Sequence, residues 1–196
     1  MKYLVTGATG HLGGMIITEL SKLVPQADIR LGVHRIEKAT ALQSAGYDVV
    51  ALDYAAVDSM TAAMTGADVL IYVPSLTYWV QQRITEFENT LEAMRRANVS
   101  TIVAMSFIAD QYNNPFQMAS YYAYLPARLA GSGLNYAVVK NALYADPLVP
   151  YLPELIARHN VIYPIGDHAM SFISREDSAE AMANIAVKPY LRDYGQ

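Results

Sequence analysis

The sequence predicts an α/β fold, a doubly wound parallel sheet with helices on both faces. The first indication is that the apolar run Tyr3–Val5 leads into a glycine-punctuated turn, which opens an apolar-periodic stretch starting at Met15. The second is that strand-like and helix-like patterns alternate along the chain. The third is the run Ala67–Val73, which is apolar on both faces, as a parallel strand covered by helices must be.

Composition limits the classes of function. A chain of 196 residues with 53% hydrophobic and 16% charged residues favours one domain, residues 1–196, with a sizeable core. A net charge of -4 without a basic block argues against nucleic-acid binding. There is no cysteine, and the four histidines lack ligand spacing, so we expect no metal. No apolar run reaches the ~18 residues of a membrane span, and no leader pattern precedes the first strand. We therefore expect a cytoplasmic protein.

The turn Thr6–Gly13 has the features of a pyrophosphate site at a helix N-terminus. Gly7 permits a tight turn, Gly10 allows backbone amides to approach the ligand, and Gly13 allows close packing of helix against strand. The spacing is Gly-x-x-Gly-x-x-Gly, whereas ordinary dinucleotide dehydrogenases have Gly-x-Gly-x-x-Gly. A glycine-rich turn without a ligand is the alternative. The candidate cofactor contacts in this turn are Gly7, Thr9, Gly10, His11 and Leu12.

The segment Val5–Gly13 resembles the start of the NmrA-like atypical short-chain dehydrogenases, a group that includes bacterial type 2 NAD(P)H:quinone oxidoreductases. The segments Ser132–Asn141 and Gly166–Asp177 resemble later motifs of the same family, and in the second of them Ser174 is a candidate N-cap with Asp177 three residues on. The resemblance implies a Rossmann-like fold and an oxidoreductase that passes a hydride from NAD(P)H to a quinone-like planar electrophile without flavin. It also implies an alternative, an NADP(H)-binding redox sensor without turnover.

The second strand is predicted over Asp28–Arg35 and is followed by a helix over Ile36–Ala45. Arg35 then lies at the carboxyl end of the strand, where such folds meet the adenosine ribose. An arginine there suits a 2′-phosphate, so NADP(H) is preferred over NAD(H), although an ordinary exposed arginine is the alternative. A third strand over Tyr47–Tyr54 contains Asp53, which the resemblance places near the adenine; a turn residue is the alternative.

The fourth strand ends at Val73, Pro74 and Ser75, which should pass under the ribose and nicotinamide half of the cofactor. A long helix over Val80–Ala97 follows. Its charged residues are interpreted as a solvated face; they are Glu86, Glu88, Glu92, Arg95 and Arg96.

The fifth strand, Ser100–Phe107, resembles the family strand that ends in a serine beside the nicotinamide, here Ser106. A lid-like loop over 108–117 precedes a helix over Ala119–Ala130. A sixth strand over Leu134–Val139 follows. The resemblance then implies roles in cofactor contact and in bounding the substrate pocket for Lys140, Asn141 and Tyr144.

The acceptor site is predicted from aromatic residues that could stack a planar molecule, although half-buried packing residues are an equal alternative. The substrate candidates are Tyr78, Tyr112 and Tyr144. No Tyr-x-x-x-Lys pair lies on a helix: Tyr136 and Lys140 share a strand, and Tyr124 has Arg128 in place of lysine. Hydride transfer then depends on orientation, with Ser106, Tyr121 and Tyr122 as candidate proton donors.

Members of the resembled group continue through a larger substrate lobe. We therefore expect residues 142–196 to contribute only part of that lobe, with Gln196 either a natural end or a truncation. The expected partner is a small planar electron acceptor, and assembly as a homodimer is left open.

Overall fold

The computed structural model describes residues 1–111, 113–160 and 169–188. One sheet of six parallel strands has the order β3-β2-β1-β4-β5-β6, which confirms the predicted doubly wound, Rossmann-like fold. The strands are β1 Tyr3–Thr6, β2 Ile29–Val33, β3 Asp48–Ala51, β4 Val69–Tyr72, β5 Thr101–Phe107 and β6 Asn135–Asn141.

Helices connect successive strands and cover both faces of this sheet. The α-helices are α1 His11–Ser21, α2 Thr40–Ser44, α3 Val57–Met64, α4 Val80–Ala97, α5 Ala119–Ala130, α6 Leu152–Arg158 and α7 Arg175–Ala186. The predicted bounds of α4 and α5 are confirmed. The helix predicted over Ile36–Ala45 is instead a 3₁₀ turn, Ile36–Ala39, followed by the short α2. A second 3₁₀ segment, Asp146–Tyr151, precedes α6.

Two apolar cores lie on opposite faces of the sheet. On β1, Tyr3 and Val5 pack with α1 and α7, whereas Leu4 faces α3, α4 and α5. This alternation follows from the two-residue period of a strand. Because both faces are covered, β1 and β4 are buried at every position.

A second sheet pairs two short parallel strands, β7 Leu143–Tyr144 and β8 Phe172–Ile173. Ser174 caps α7 by accepting a hydrogen bond from the Asp177 N–H at 2.9 Å, as the sequence predicts. Asp146 accepts a bond from the Arg175 N–H at 3.0 Å. The motif residues 166–168 lie outside the described residues.

The order of the strands places a site at one edge of the sheet. The chain winds from β1 towards β2 on one side and from β4 towards β5 on the other. The loops after β1 and β4 therefore diverge, and they leave a crevice beyond the carboxyl ends of these strands.

Candidate cofactor and acceptor site

The glycine turn after β1 has the predicted geometry. Gly7 has a φ of +65°, in the left-handed region that favours glycine. A Cβ on Gly13 would lie 2.1 Å from the Gly7 carbonyl oxygen, so helix and turn pack too closely for any side chain. α1 begins at His11, and its N-cap, Gly10, makes no side-chain cap bond. The amides of the first turn are therefore directed at the crevice, where they suit an anion.

The ends of β1 and β4 are fastened together beneath the crevice. The buried Thr6 hydroxyl donates to the Val73 carbonyl at 3.1 Å and accepts from the Val73 N–H at 2.9 Å. The Tyr54 hydroxyl donates to the same carbonyl at 2.5 Å. These bonds hold the start of the Val73–Ser75 loop in one position.

A cavity of about 910 Å³ extends from this turn across the carboxyl ends of the strands to α7. Ten predicted site residues line it; they are Gly7, Thr9, Gly10, His11, Leu12, Arg35, Val73, Pro74, Ser75 and Tyr144. Tyr122, a candidate proton donor, also lines it. A cavity of this size that contains the glycine cradle is in the range of small-molecule and cofactor sites.

One end of the cavity is basic. His34, Arg35 and Lys38 follow β2, line the cavity and are exposed. Asp53 lies nearby, with its carboxylate 4.0 Å from His34 Nδ1, but it is not a lining residue. The Asp53 carboxylate accepts from the Ala55 N–H at 2.9 Å, which matches the alternative of a turn residue.

The loop after β4 is held by a buried carboxylate. Glu86 on α4 is only 6% exposed and accepts from the hydroxyls of Ser75 and Thr77, the latter at 2.9 Å, and from Gln82 Nε2 at 3.2 Å. The prediction that Glu86 belongs to the solvated face of α4 is wrong, because the first two turns of this helix face the crevice. Glu92 does lie at the surface, between Arg95 and Arg96.

Arg83, one turn earlier on α4, was not identified from the sequence. It is 6% exposed and lines the cavity. Its Nε donates to the Thr77 carbonyl at 2.9 Å, and Nη2 donates to the same oxygen. The guanidinium carbon lies 5.3 Å from the centroid of the Tyr121 ring. The helical spacing from Phe87 is the one sequence signal that could have placed Arg83 on the inner face.

The three candidate proton donors are separated by the structure. Tyr122 lines the cavity, whereas Tyr121 is fully buried with its hydroxyl 3.5 Å from that of Tyr72. Burial raises the pKa of Tyr121 to about 12, although Arg83 acts in the opposite direction. Ser106 is also fully buried, and its hydroxyl has no hydrogen-bond partner among the described residues. The hydroxyls of Tyr121 and Ser106 are therefore not accessible to a molecule in the cavity.

The end of β6 and the loop after it provide fewer cavity-lining residues than the resemblance implies. Lys140 forms an ion pair with Asp110, and neither residue lines the cavity. Asn141 is buried: its Nδ2 donates to the Tyr144 hydroxyl at 3.0 Å, and its Oδ1 accepts from the Ser178 hydroxyl at 2.8 Å. Asn141 therefore holds the Tyr144 hydroxyl in position but does not itself line the cavity.

The aromatic residues near the acceptor end divide between wall and surface. Tyr122 and Tyr144 line the cavity, and Phe116 stacks on Tyr122 with ring centroids 6.3 Å apart. Tyr78 is 57% exposed and is not a lining residue. Tyr112 lies outside the described residues.

Two features are absent from the described parts of the chain. No group of three or more histidine, cysteine, aspartate or glutamate residues there could hold a metal ion. No helix there has both the length and the apolar character needed to cross a membrane.

Two solved structures share this fold over nearly the whole chain. A nucleoside-diphosphate-sugar epimerase from Staphylococcus aureus has a TM-score of 0.89 and 37% identity over 97% of this chain and 68% of its own. An Escherichia coli NADPH-dependent quinone oxidoreductase solved with NADPH has a TM-score of 0.85 and 30% identity over 95% of this chain and 65% of its own.

Curated relatives are consistent with the resemblance stated from the sequence. Quinone oxidoreductase 2 of Escherichia coli is 31% identical over 182 residues, 92% of this chain. An NmrA-like family domain-containing oxidoreductase of Aspergillus flavus is 24% identical over 96% of this chain. The chain spans 62% of the length of each. A family model described as NAD(P)H-binding matches residues 7–189, so the chain belongs to this NAD(P)H-binding family.

Proposed function

We propose that this protein is an NADPH-dependent oxidoreductase that reduces quinone-like planar acceptors without flavin. The observation that carries the proposal is the continuous cavity of about 910 Å³, which takes in the basic residues after β2, the glycine cradle after β1 and, towards β6, Tyr122 and Tyr144. Bound NADPH supplies a hydride to the acceptor, and one proton completes the hydroquinone, leaving NADP⁺. The quinone oxidoreductase solved with NADPH, 30% identical to this chain, supports this assignment.

The residues of this chain bind and orient the reactants. The amides at the start of α1 would hold the pyrophosphate of the cofactor, and the loop Val73–Ser75, which Thr6 fastens, would support its ribose and nicotinamide half. Tyr122 faces the acceptor, and burial raises its pKa above the ordinary tyrosine value. Its hydroxyl therefore stays protonated at neutral pH and can donate a hydrogen bond to the developing oxyanion.

The preference for NADPH is proposed from the basic end of the cavity. Arg35, with His34 and Lys38, places positive charge where the adenosine ribose should lie. Asp53 is not placed to accept from a ribose 2′-hydroxyl, because its carboxylate accepts from the Ala55 N–H in its own turn and does not line the cavity. A 2′-phosphate would be bound by the guanidinium in preference to a hydroxyl.

We also propose that residues 142–196 act as part of a substrate lobe within a single domain. Two residues of this segment, Tyr144 and Arg175, line the acceptor end of the cavity. This assignment predicts that substitutions at these positions alter the KM for the acceptor more than the KM for NADPH.

The test is to mix the purified protein with NADPH and a panel of quinones and to follow absorbance of the reduced cofactor. Steady oxidation that requires both the protein and a quinone, with no bound flavin in the protein's spectrum, is expected. Calorimetric binding of NADPH without oxidation by any quinone would favour the redox-sensor alternative. No binding of either reduced nicotinamide would overturn both.

A further inference from the structure

Arg83 is a buried cation in the cavity wall that has no carboxylate partner within ion-pair distance in the described part of the chain. The other cavity cations differ from it. Arg175 Nη1 lies 3.8 Å from Asp146 Oδ1, and Arg35 and Lys38 are exposed to water. Burying a guanidinium without a counter-charge is costly, so its retention in a ligand cavity requires a reason.

The bonds that Arg83 makes orient it without neutralising it. Nε and Nη2 both donate to the Thr77 carbonyl, which uses two of the five guanidinium N–H groups on a neutral acceptor. The ring of Tyr121 supports the guanidinium at 5.3 Å. The cation also acts to lower the pKa of Tyr122, against the larger effect of burial, so it lies close to this cavity residue.

The start of α4 adds to the positive potential at Arg83. Arg83 lies in the first turns of α4, which begins at Val80 without an acidic residue or a side-chain cap. The positive end of the helix dipole therefore points to the same place. The buried Glu86 carboxylate, one turn further along, also lines the cavity and accepts hydrogen bonds from Ser75, Thr77 and Gln82; its negative charge offsets part of this potential without pairing directly with Arg83.

We propose that Arg83 binds an anionic substituent, a carboxylate or a sulfonate, on the planar acceptor. This inference rests on the proposed function and names the class of acceptor for the same site. The ring of the acceptor lies against Tyr122, and its anionic group reaches the N–H groups of Arg83 that do not bond Thr77. A planar guanidinium held by its own backbone contact is well suited to such a group, because two donors can engage it at once.

The test compares a matched pair of acceptors, a naphthoquinone and its sulfonated derivative, on the intact protein and on Arg83→Gln. We expect kcat/KM for the sulfonated quinone to fall about 10- to 100-fold in the variant. The value for the neutral quinone should fall much less, because this acceptor loses only the support that Arg83 gives to the Thr77 loop and not the charged contact. Arg83→Lys keeps the positive charge but loses the paired donors of the guanidinium. It should retain part of the preference for the sulfonated over the neutral quinone.

Arg95→Gln is the matched control, because Arg95 is an exposed arginine of the same helix that pairs with Glu92. This substitution should leave kcat/KM unchanged for both quinones. Equal losses for both quinones in Arg83→Gln would show that Arg83 merely supports the Thr77 loop, and would overturn the proposal. A loss for the sulfonated quinone that is matched by an equal rise in the KM for NADPH would assign Arg83 to the cofactor and would also overturn it.

A binding measurement separates failure of this inference from failure of the proposed function. Naphthalenesulfonate cannot be reduced by NADPH, and calorimetry should detect its binding to the NADPH-loaded protein but not to the Arg83→Gln variant. If no quinone oxidises NADPH, the proposed function fails while this readout still tests the anion site. If a neutral quinone is reduced but naphthalenesulfonate binds both proteins equally, this inference alone fails.

Discussion

At Gly13 the chain has no room for a side chain, whereas its neighbour Gly14 has nothing within 4 Å of an added Cβ. Both residues lie in the first turns of α1, so they differ in surroundings and not in secondary structure. The contrast arises because Gly13 faces the turn that we propose to hold the pyrophosphate, while Gly14 faces away from it. A matched pair of substitutions can therefore measure what close packing of α1 contributes.

Gly13→Ala should destabilise the protein by about 3 kcal/mol, because the Cβ must displace the Gly7 backbone. It should also weaken NADPH binding, since the same displacement moves the amides of the cradle. Gly14→Ala should stabilise the protein by about 0.5–1 kcal/mol through helix propensity. Urea unfolding and NADPH titration check both variants, and equal stability of the two would contradict the packing argument.

Arg35→Ala should weaken NADPH binding by about 1.5–3 kcal/mol, which is roughly one to two decades in the dissociation constant. NADH binding should change little, because NADH lacks the 2′-phosphate. Calorimetry should measure the dissociation constants of NADPH and NADH for the unchanged protein and for Arg35→Ala, so that NADH serves as the control for NADPH. Equal losses for the two cofactors would remove Arg35 from the specificity site.

At the scale of an element, α4 carries out two tasks along its length. Its first two turns hold the loop after β4 through Arg83 and Glu86, and its last turns form a charged surface around Glu92. The two ends differ because only the first lies over the crevice. The loop geometry at the proposed nicotinamide end therefore depends on a helix that itself forms part of the cavity wall, through Arg83 and Glu86.

Glu86→Ala should cost about 1–3 kcal/mol of stability, because the hydroxyls of Ser75 and Thr77 lose their buried acceptor. It should also raise the KM for NADPH, since the loop that supports the cofactor loosens. Glu92→Ala on the exposed part of the helix is the control and should leave the KM unchanged. Unfolding curves and steady-state kinetics test the pair; an unchanged KM in Glu86→Ala would show that the loop does not depend on this carboxylate.

At the scale of the whole molecule, the core on the α3, α4 and α5 face contains an aromatic cluster with buried hydroxyls. Tyr72 packs between Tyr54 and Phe87, and its hydroxyl lies near that of Tyr121. Burial raises the pKa of Tyr54, Tyr72 and Tyr121, the last to about 12. The folded state thus favours the protonated tyrosines more strongly than the unfolded state does.

This cluster predicts a loss of stability at alkaline pH. The folded pKa values lie above the ordinary 10.0, so the stabilisation is fully present below pH 10.0 and declines as pH rises towards about 12. Urea unfolding across this interval should show the free energy of unfolding falling with pH. The double variant Tyr72→Phe, Tyr121→Phe should reduce the slope, and an unchanged slope would exclude these hydroxyls as its source.

Much of this architecture was predicted from local patterns. The bounds of α4 and α5, the parallel sheet, the glycine cradle and the cap of α7 by Ser174 all follow from the spacing of neighbouring residues. Asp53 left two interpretations open, and the structure favours the turn residue. The ten predicted residues that line the cavity are mainly those at the carboxyl ends of strands, where topology alone dictates a common edge.

Tertiary structure decided which neighbouring side chains face the cavity. Tyr121 and Tyr122 are adjacent in sequence, yet one is in the core and the other in the cavity wall, because successive residues of a helix point about 100° apart. Arg83 and Glu86 read as ordinary charges of an amphipathic helix until the position of α4 over the crevice is known. The sequence by itself determined the elements and the cradle, which depend on local chemistry. The acceptor end depends on how distant elements pack, and only the folded chain defines it.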